Sequence, residues 1–267
     1  MSRLHEAFAA AKAEGRALLV GYLPAGFPAR GDDVAVIAAM VRGGVDAIEI
    51  GLPYSDPMMD GPVIQRAGTA ALNRGVRTRD IFAAVEAVAS TGVVPVCMTY
   101  WNIVDRYGVD AFARDFANAG GAGLVTPDLT PDEAHDWLVA SEDHGLDRIF
   151  LVSPSSTDER IVSTTQACRG WVYATAVMGV TGARQQTSSQ APELVSRLRQ
   201  LAPDTLVGVG LGVSNGAQAA EVAGFADAVI VGSALVKTLI AAEDAGTPDD
   251  LAALRAVVAD LAAGVRA

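Results

Sequence analysis

VDAIEIGLP, residues 45–53, is a short apolar run containing β-branched side chains and closed by Gly and Pro, the pattern of a strand buried in a parallel sheet. Its period-two alternation sets Ala47, Glu49 and Gly51 on one face and Ile48 and Ile50 on the other. The isoleucines face covering helices. Glu49 then points to the interior near the strand's carboxyl end, where an unpaired carboxylate is costly and acquires a raised pKa suited to acid-base work. No other strand segment offers an inward Arg or Lys to neutralise it.

Working outward, seven similar segments recur: ALLVGYLPAG (17–26), VVPVCMTYW (93–101), AGLVTPDL (122–129), RIFLVSP (148–154), WVYATAV (171–177), TLVGVGLG (205–212) and DAVIVGS (227–233). Ala-rich helical stretches separate them, among them 32–44, 79–92 and 191–202, each long enough for a right-handed crossover between parallel strands. Eight such units predict one (β/α)8 barrel of the TIM type spanning residues 1–267, preceded by an amphipathic helix within residues 1–15. An open doubly wound sheet competes, but the GxGxxG that should follow its first strand is missing. Two connections exceed the usual 2–6 or so residues: PYSDPMMDGP (53–62) after the second strand and MGVTGARQQTSSQ (178–190) after the sixth. In a barrel both rise from the ligand-binding face and can close over it.

The 267 residues match the usual size of such a barrel, and 51 % hydrophobic against 6 % aromatic content predicts a core of Ala, Val, Leu and Ile. A net charge of −11 without a Lys/Arg cluster argues against nucleic acid, so an anionic ligand must be held by local groups. Two cysteines, Cys97 and Cys168, make no disulfide framework. The first fifteen residues lack the apolar core of a signal peptide and no run reaches the ~18 residues of a membrane span. A cytoplasmic protein is expected.

Asp60 lies in the loop that leaves the Glu49 strand and can fold back over the barrel mouth, so two carboxylates can meet one ligand. Asp56 and Asp60 are also ordinary turn formers before Pro and Gly. GLGVSNGAQAA (210–220) and VGSALVK (231–237) present Gly and Ser where strands seven and eight lead into helices, a phosphate-binding arrangement that uses backbone N–H groups. Plain helix capping, by Ser214 for example, is the alternative. Lys12 and Lys237, the only lysines, fall in helices, which excludes an imine-forming strand lysine. His5, His135 and His144 also fall in helices, which argues against a zinc site.

IEIGLPYSDPMMDGPVIQ (48–65), GVTGAR (179–184), GLGVS (210–214) and VGSALVK (231–237) together resemble the tryptophan synthase alpha subunit family in order and spacing, over nearly the whole chain. The resemblance implies retro-aldol cleavage of indole-3-glycerol phosphate to indole and glyceraldehyde 3-phosphate. Glu49 would shuttle protons, and Asp60 would accept the indole N–H hydrogen bond. Tyr22, Ile64, Tyr100, Tyr173 and Leu211 would line the pocket; Gly182, Gly212, Gly232 and Ser233 would hold the phosphate; Thr181 would bond to Asp60 when the loop closes. The family also implies a beta subunit partner in an alpha2-beta2 complex, docking against residues 53–58, with pyridoxal phosphate in that partner and no cofactor in this chain. The sequence departs from the family at Tyr22 and Leu211, where phenylalanine is common, and at AVM (176–178), where relatives carry an arginine. Indole-3-glycerol phosphate synthase, which would call for catalytic lysines on inner strands, and a catalytically silent phosphate-binding barrel acting as an allosteric subunit are the competing readings.

Overall fold

A computed structural model describes residues 2–28, 33–175, 190–210 and 212–267. Its strands are β1 (Leu18–Pro24), β2 (Ala47–Gly51), β3 (Val94–Met98), β4 (Gly123–Val125), β5 (Asp147–Ile149), β6 (Leu151–Val152), β7 (Val172–Thr175), β8 (Val207–Gly210) and β9 (Ala228–Val231). All pair in parallel, in the order β5-β4-β3-β2-β1-β9-β8-β7-β6. The outermost two, β5 and β6, are separated by Phe150 alone, so one passage of chain bounds both edges and the sheet forms a (β/α)8 barrel.

The expected fifth strand is thus broken in two. Phe150 is where the chain changes partners: its N–H donates to Cys168 Sγ at 3.4 Å, and its carbonyl accepts the Tyr173 N–H at 3.0 Å.

Twelve helices are seen among the described residues: α1 (Arg3–Ala13), α2 (Asp33–Gly43), α3 (Pro62–Asn73), α4 (Asp80–Ala89), α5 (Trp101–Tyr107), α6 (Val109–Asn118), α7 (His135–Asp143), α8 (Asp158–Ala167), α9 (Gln190–Leu201), α10 (Gly216–Ala223), α11 (Ser233–Asp244) and α12 (Ala252–Gly264). Strand alternation divides the core into two layers. Leu19, Ile48, Ile50, Cys97, Leu124 and Val229 pack outward against the helices. Val20, Ala47, Val96, Ile149, Ala228 and Ile230 fill the barrel interior.

The interior also takes in Leu4, Phe8 and Ala11 of α1. Their spacing of four and three puts them on one helical face, and Phe8 meets Trp171 edge-on with centroids 5.8 Å apart. Ser2 caps the helix by accepting the His5 N–H at 3.2 Å, and Arg3 donates to the Gly120 carbonyl at 2.8 Å. The leading helix plugs the amino-terminal end of the barrel, which leaves the carboxyl-terminal end for a ligand.

Candidate active site

At that end lies a cavity whose empty volume, open mouth included, is about 740 Å³. Glu49 rises into it from β2, in register with Tyr22 on one side and Val96 on the other. It is 4 % exposed, and its Oε2 has no hydrogen-bond partner among the described residues. Met98, Val125, Leu151 and Ile230 supply apolar wall. Burial, reinforced by the charge of Asp60, pushes the Glu49 pKa up to about 8.

Asp60 comes to the same cavity from the loop after β2, and burial raises its pKa to about 6. Near neutral pH the pair is therefore split, with Glu49 mostly protonated and Asp60 mostly ionised. Local sequence fixes the loop. The Leu52 N–H donates to the Met98 carbonyl at 2.9 Å, carrying the chain off the strand end. Gly61 and Pro62 start α3 immediately after Asp60, with Pro at the first helical turn, where its missing N–H is harmless. The Met59 N–H donates to the Tyr100 hydroxyl at 3.0 Å, and Gln65 Nε2 donates to the Asp60 carbonyl at 2.8 Å.

Two tyrosines occupy space left by glycines. A side chain at Gly51 would meet the Tyr22 hydroxyl at 2.0 Å, and one at Gly210 would meet the Tyr173 hydroxyl at the same distance. Because Gly51 and Glu49 share a strand face, the Tyr22 hydroxyl sits one side-chain position from Glu49 towards the mouth. Burial drives both phenols well above their usual pKa, with the neighbouring carboxylates adding to it.

The same cavity is also lined by Gly212, Val213, Gly232 and Ser233, which follow β8 and β9. Gly212 has φ +103°, a conformation that side chains disfavour. The N–H groups of Leu235 and Val236 bond back to the Gly232 carbonyl. Those of Ser233 and Ala234 precede them at the start of α11, where a helix end favours an anion. Ser214 is not the cap of α10. Asn215 is, accepting the Gln218 N–H at 3.0 Å, while Ser214 donates its N–H and hydroxyl to the Gln218 side-chain oxygen. Asn215 has the extended backbone of a cap.

Of the residues singled out from sequence, Glu49, Asp60, Tyr22, Ile64, Tyr173, Gly212, Gly232 and Ser233 all line the cavity. Tyr100 stands behind the Asp60 loop, outside the lining. Thr181, Gly182, Leu211, the 176–178 segment and most of the 178–190 connection lie outside the described residues. Neither lysine reaches the cavity: Lys12 is in α1 and Lys237 is exposed on α11. His144 pairs with Asp110 at 2.8 Å on the outer surface, and His5 and His135 belong to α1 and α7. The sequence reading did not single out Met59, Met98, Val125, Pro127, Leu151, Thr175, Val213 or Ile230 as lining residues. Strand alternation could have found Met98 and Ile230, which lie in step with the inward Val96 and Ala228.

The sequence matches the family described as tryptophan synthase alpha chain over residues 8–266. It is 62 % identical to the tryptophan synthase alpha chain of Salinispora arenicola, covering 100 % of this chain and 98 % of that one. The structure superposes on a chain of Mycobacterium tuberculosis tryptophan synthase with a TM-score of 0.92 and 58 % identity, covering 100 % of this chain and 99 % of the other. Against tryptophan synthase subunit alpha from Legionella pneumophila the TM-score is 0.87 at 33 % identity, covering 99 % and 98 %. A barrel with this pair of carboxylates in its cavity and this degree of likeness along its full length belongs to the tryptophan synthase alpha chain family.

Proposed function

We propose that this chain is the lyase subunit that cleaves indole-3-glycerol phosphate to indole and glyceraldehyde 3-phosphate in tryptophan biosynthesis. The observation that carries the reading is the split carboxylate pair of one strand-loop unit, sharing a single cavity with Gly212, Gly232 and the start of α11.

Protonated Glu49 donates its proton to the indole C3, and the cation that forms on the ring is stabilised by ionised Asp60 accepting the indole N–H. The Glu49 carboxylate so produced removes the proton from the glycerol hydroxyl next to the ring. The carbon-carbon bond breaks, its electrons return to the ring, and the carbonyl of glyceraldehyde 3-phosphate forms. Glu49 ends the cycle protonated. Tyr22, Ile64 and Tyr173 enclose the indole and glycerol portions, while Gly212, Gly232 and Ser233 receive the phosphate through backbone N–H groups and the α11 dipole. Thr181, Gly182 and Leu211 complete the family's set of substrate contacts.

The whole chain, residues 1–267, works as one barrel domain in the cytoplasm; among the described residues no helix is long and apolar enough to cross a membrane. Its partner is the pyridoxal-phosphate-dependent beta subunit in an alpha2-beta2 complex. The loop at residues 53–58 would meet that partner, and Met58, 67 % exposed, is the apolar anchor such a contact would cover. The chemistry assigned to this chain needs no cofactor of its own.

The test is incubation of the purified chain with indole-3-glycerol phosphate, with and without a beta subunit, assayed for glyceraldehyde 3-phosphate. Absence of product in both conditions overturns the proposal and favours a silent allosteric barrel.

A further inference from the structure

Asp60 is not held by a strand. Its carboxylate reaches the cavity from a loop whose preceding residues Ser55, Asp56 and Met58 are exposed or nearly so, and an acceptor misplaced by about 1 Å loses much of its effect on a transition state. Something must fix this loop relative to the barrel, and the peptide groups on either side of Asp60 show what does. On one side the Met59 N–H donates to the Tyr100 hydroxyl at 3.0 Å; on the other Gln65 Nε2 donates to the Asp60 carbonyl at 2.8 Å.

Tyr100 is itself anchored from several directions. Its carbonyl accepts the Thr99 hydroxyl at 3.2 Å and the Ile103 N–H at 3.1 Å. The next N–H, that of Trp101, is held by both carboxylate oxygens of Asp128, at 2.9 and 3.1 Å. Its ring stacks on Tyr54 with centroids 5.0 Å apart, and it is 2 % exposed. A hydroxyl on so constrained a ring is a fixed point of the barrel. The Tyr100 hydroxyl accepts the Met59 N–H of the loop and lies outside the lining of the cavity.

We propose that Tyr100 is a positioning residue for Asp60, its hydroxyl and the Gln65 amide bracketing the peptide groups around Asp60 so that the carboxylate stays in the cavity. This rests on the role given to Asp60 above. It separates Tyr100 from the residues that touch substrate.

The experiment compares wild type, Tyr100→Phe and Gln65→Leu, each assembled with a beta subunit, by steady-state kinetics on indole-3-glycerol phosphate and by a carbon-13 NMR titration of the Asp60 carboxyl group. Both variants should lower kcat about tenfold, the loss expected from one misaligned polar interaction, with KM changed less than twofold. The Asp60 pKa should fall from about 6 towards the ordinary carboxylate range as the freed loop admits water. Tyr100→Phe with unchanged kcat and raised KM, or an Asp60 titration identical to wild type in both variants, overturns the proposal. Gln65 is exposed, so its variant carries the test even if Tyr100→Phe fails to fold. A wild-type complex without turnover refutes the functional reading instead, and the titration still judges the positioning role.

Discussion

Replacing Glu49 by Gln removes a carboxyl group that the folded barrel holds near pKa 8, against 4.5 for the free side chain. A folded-state pKa raised in this way means that the native protein binds the proton more tightly than the unfolded chain does. Between pH 4.5 and about 8 stability must therefore fall as pH rises. The penalty is absent below that window, because both states are protonated, and complete above it. At ~1.4 kcal/mol per pKa unit, the interval from 4.5 to about 8 sets a ceiling of ~5 kcal/mol on the penalty, reduced by any water that enters when the group ionises. Gln carries no charge at any pH. Urea denaturation of wild type and Glu49→Gln, followed by circular dichroism at pH 5, 6, 7 and 8, should give near-equal stabilities at pH 5 and a variant more stable by a few kcal/mol at pH 8. Asp60 contributes its own decline in both proteins, so the difference between the two curves isolates Glu49. A constant difference across the four pH values would mean that Glu49 ionises as an ordinary surface carboxylate, and the acid role assigned to it would fall with that result. The same variant should bind indole-3-glycerol phosphate yet fail to turn it over, and retained turnover would be equally damaging.

With Asp60 required as the anion and Glu49 as the acid, kcat/KM for the cleavage should follow a bell, rising through about pH 6 and falling through about pH 8; a rate flat from pH 5 to 9 contradicts that division of labour. Gly210→Ala should destabilise the barrel by about 1–3 kcal/mol, the range for overpacking a core, because the new methyl group would meet the Tyr173 hydroxyl at 2.0 Å. Adding Tyr173→Phe moves the nearest ring atom to 2.8 Å and should restore part of that loss in urea denaturation; a neutral Gly210→Ala would show that the ring yields freely.

What could be read from sequence was whatever period-two alternation controls. Glu49 faces inward because Ile48 and Ile50 face outward, and nothing beyond the strand itself decides this. Alternation says nothing about where a strand changes neighbours, so the break at Phe150 was hidden. It also stops at the strand end: Tyr100 lies two residues past β3, where a lining position and one behind a loop look alike. Ser214 and Asn215 are adjacent and both capping types, and only the hydrogen bonds of the folded chain distinguish them.

The acidic balance of the chain set a harder question, how a barrel of net charge −11 takes a phosphate ester. No Lys or Arg lines the cavity among the described residues. A cation there would bind the phosphate more strongly, but it would also favour the Glu49 anion and draw its pKa down from about 8 towards 4.5, leaving no proton for the indole ring at neutral pH. Backbone N–H groups at the start of α11 attract the anion with partial charges whose influence fades within a helical turn. The phosphate can then be held at the start of α11 while Glu49 stays protonated, so a lining without cations among the described residues accords with the proton chemistry.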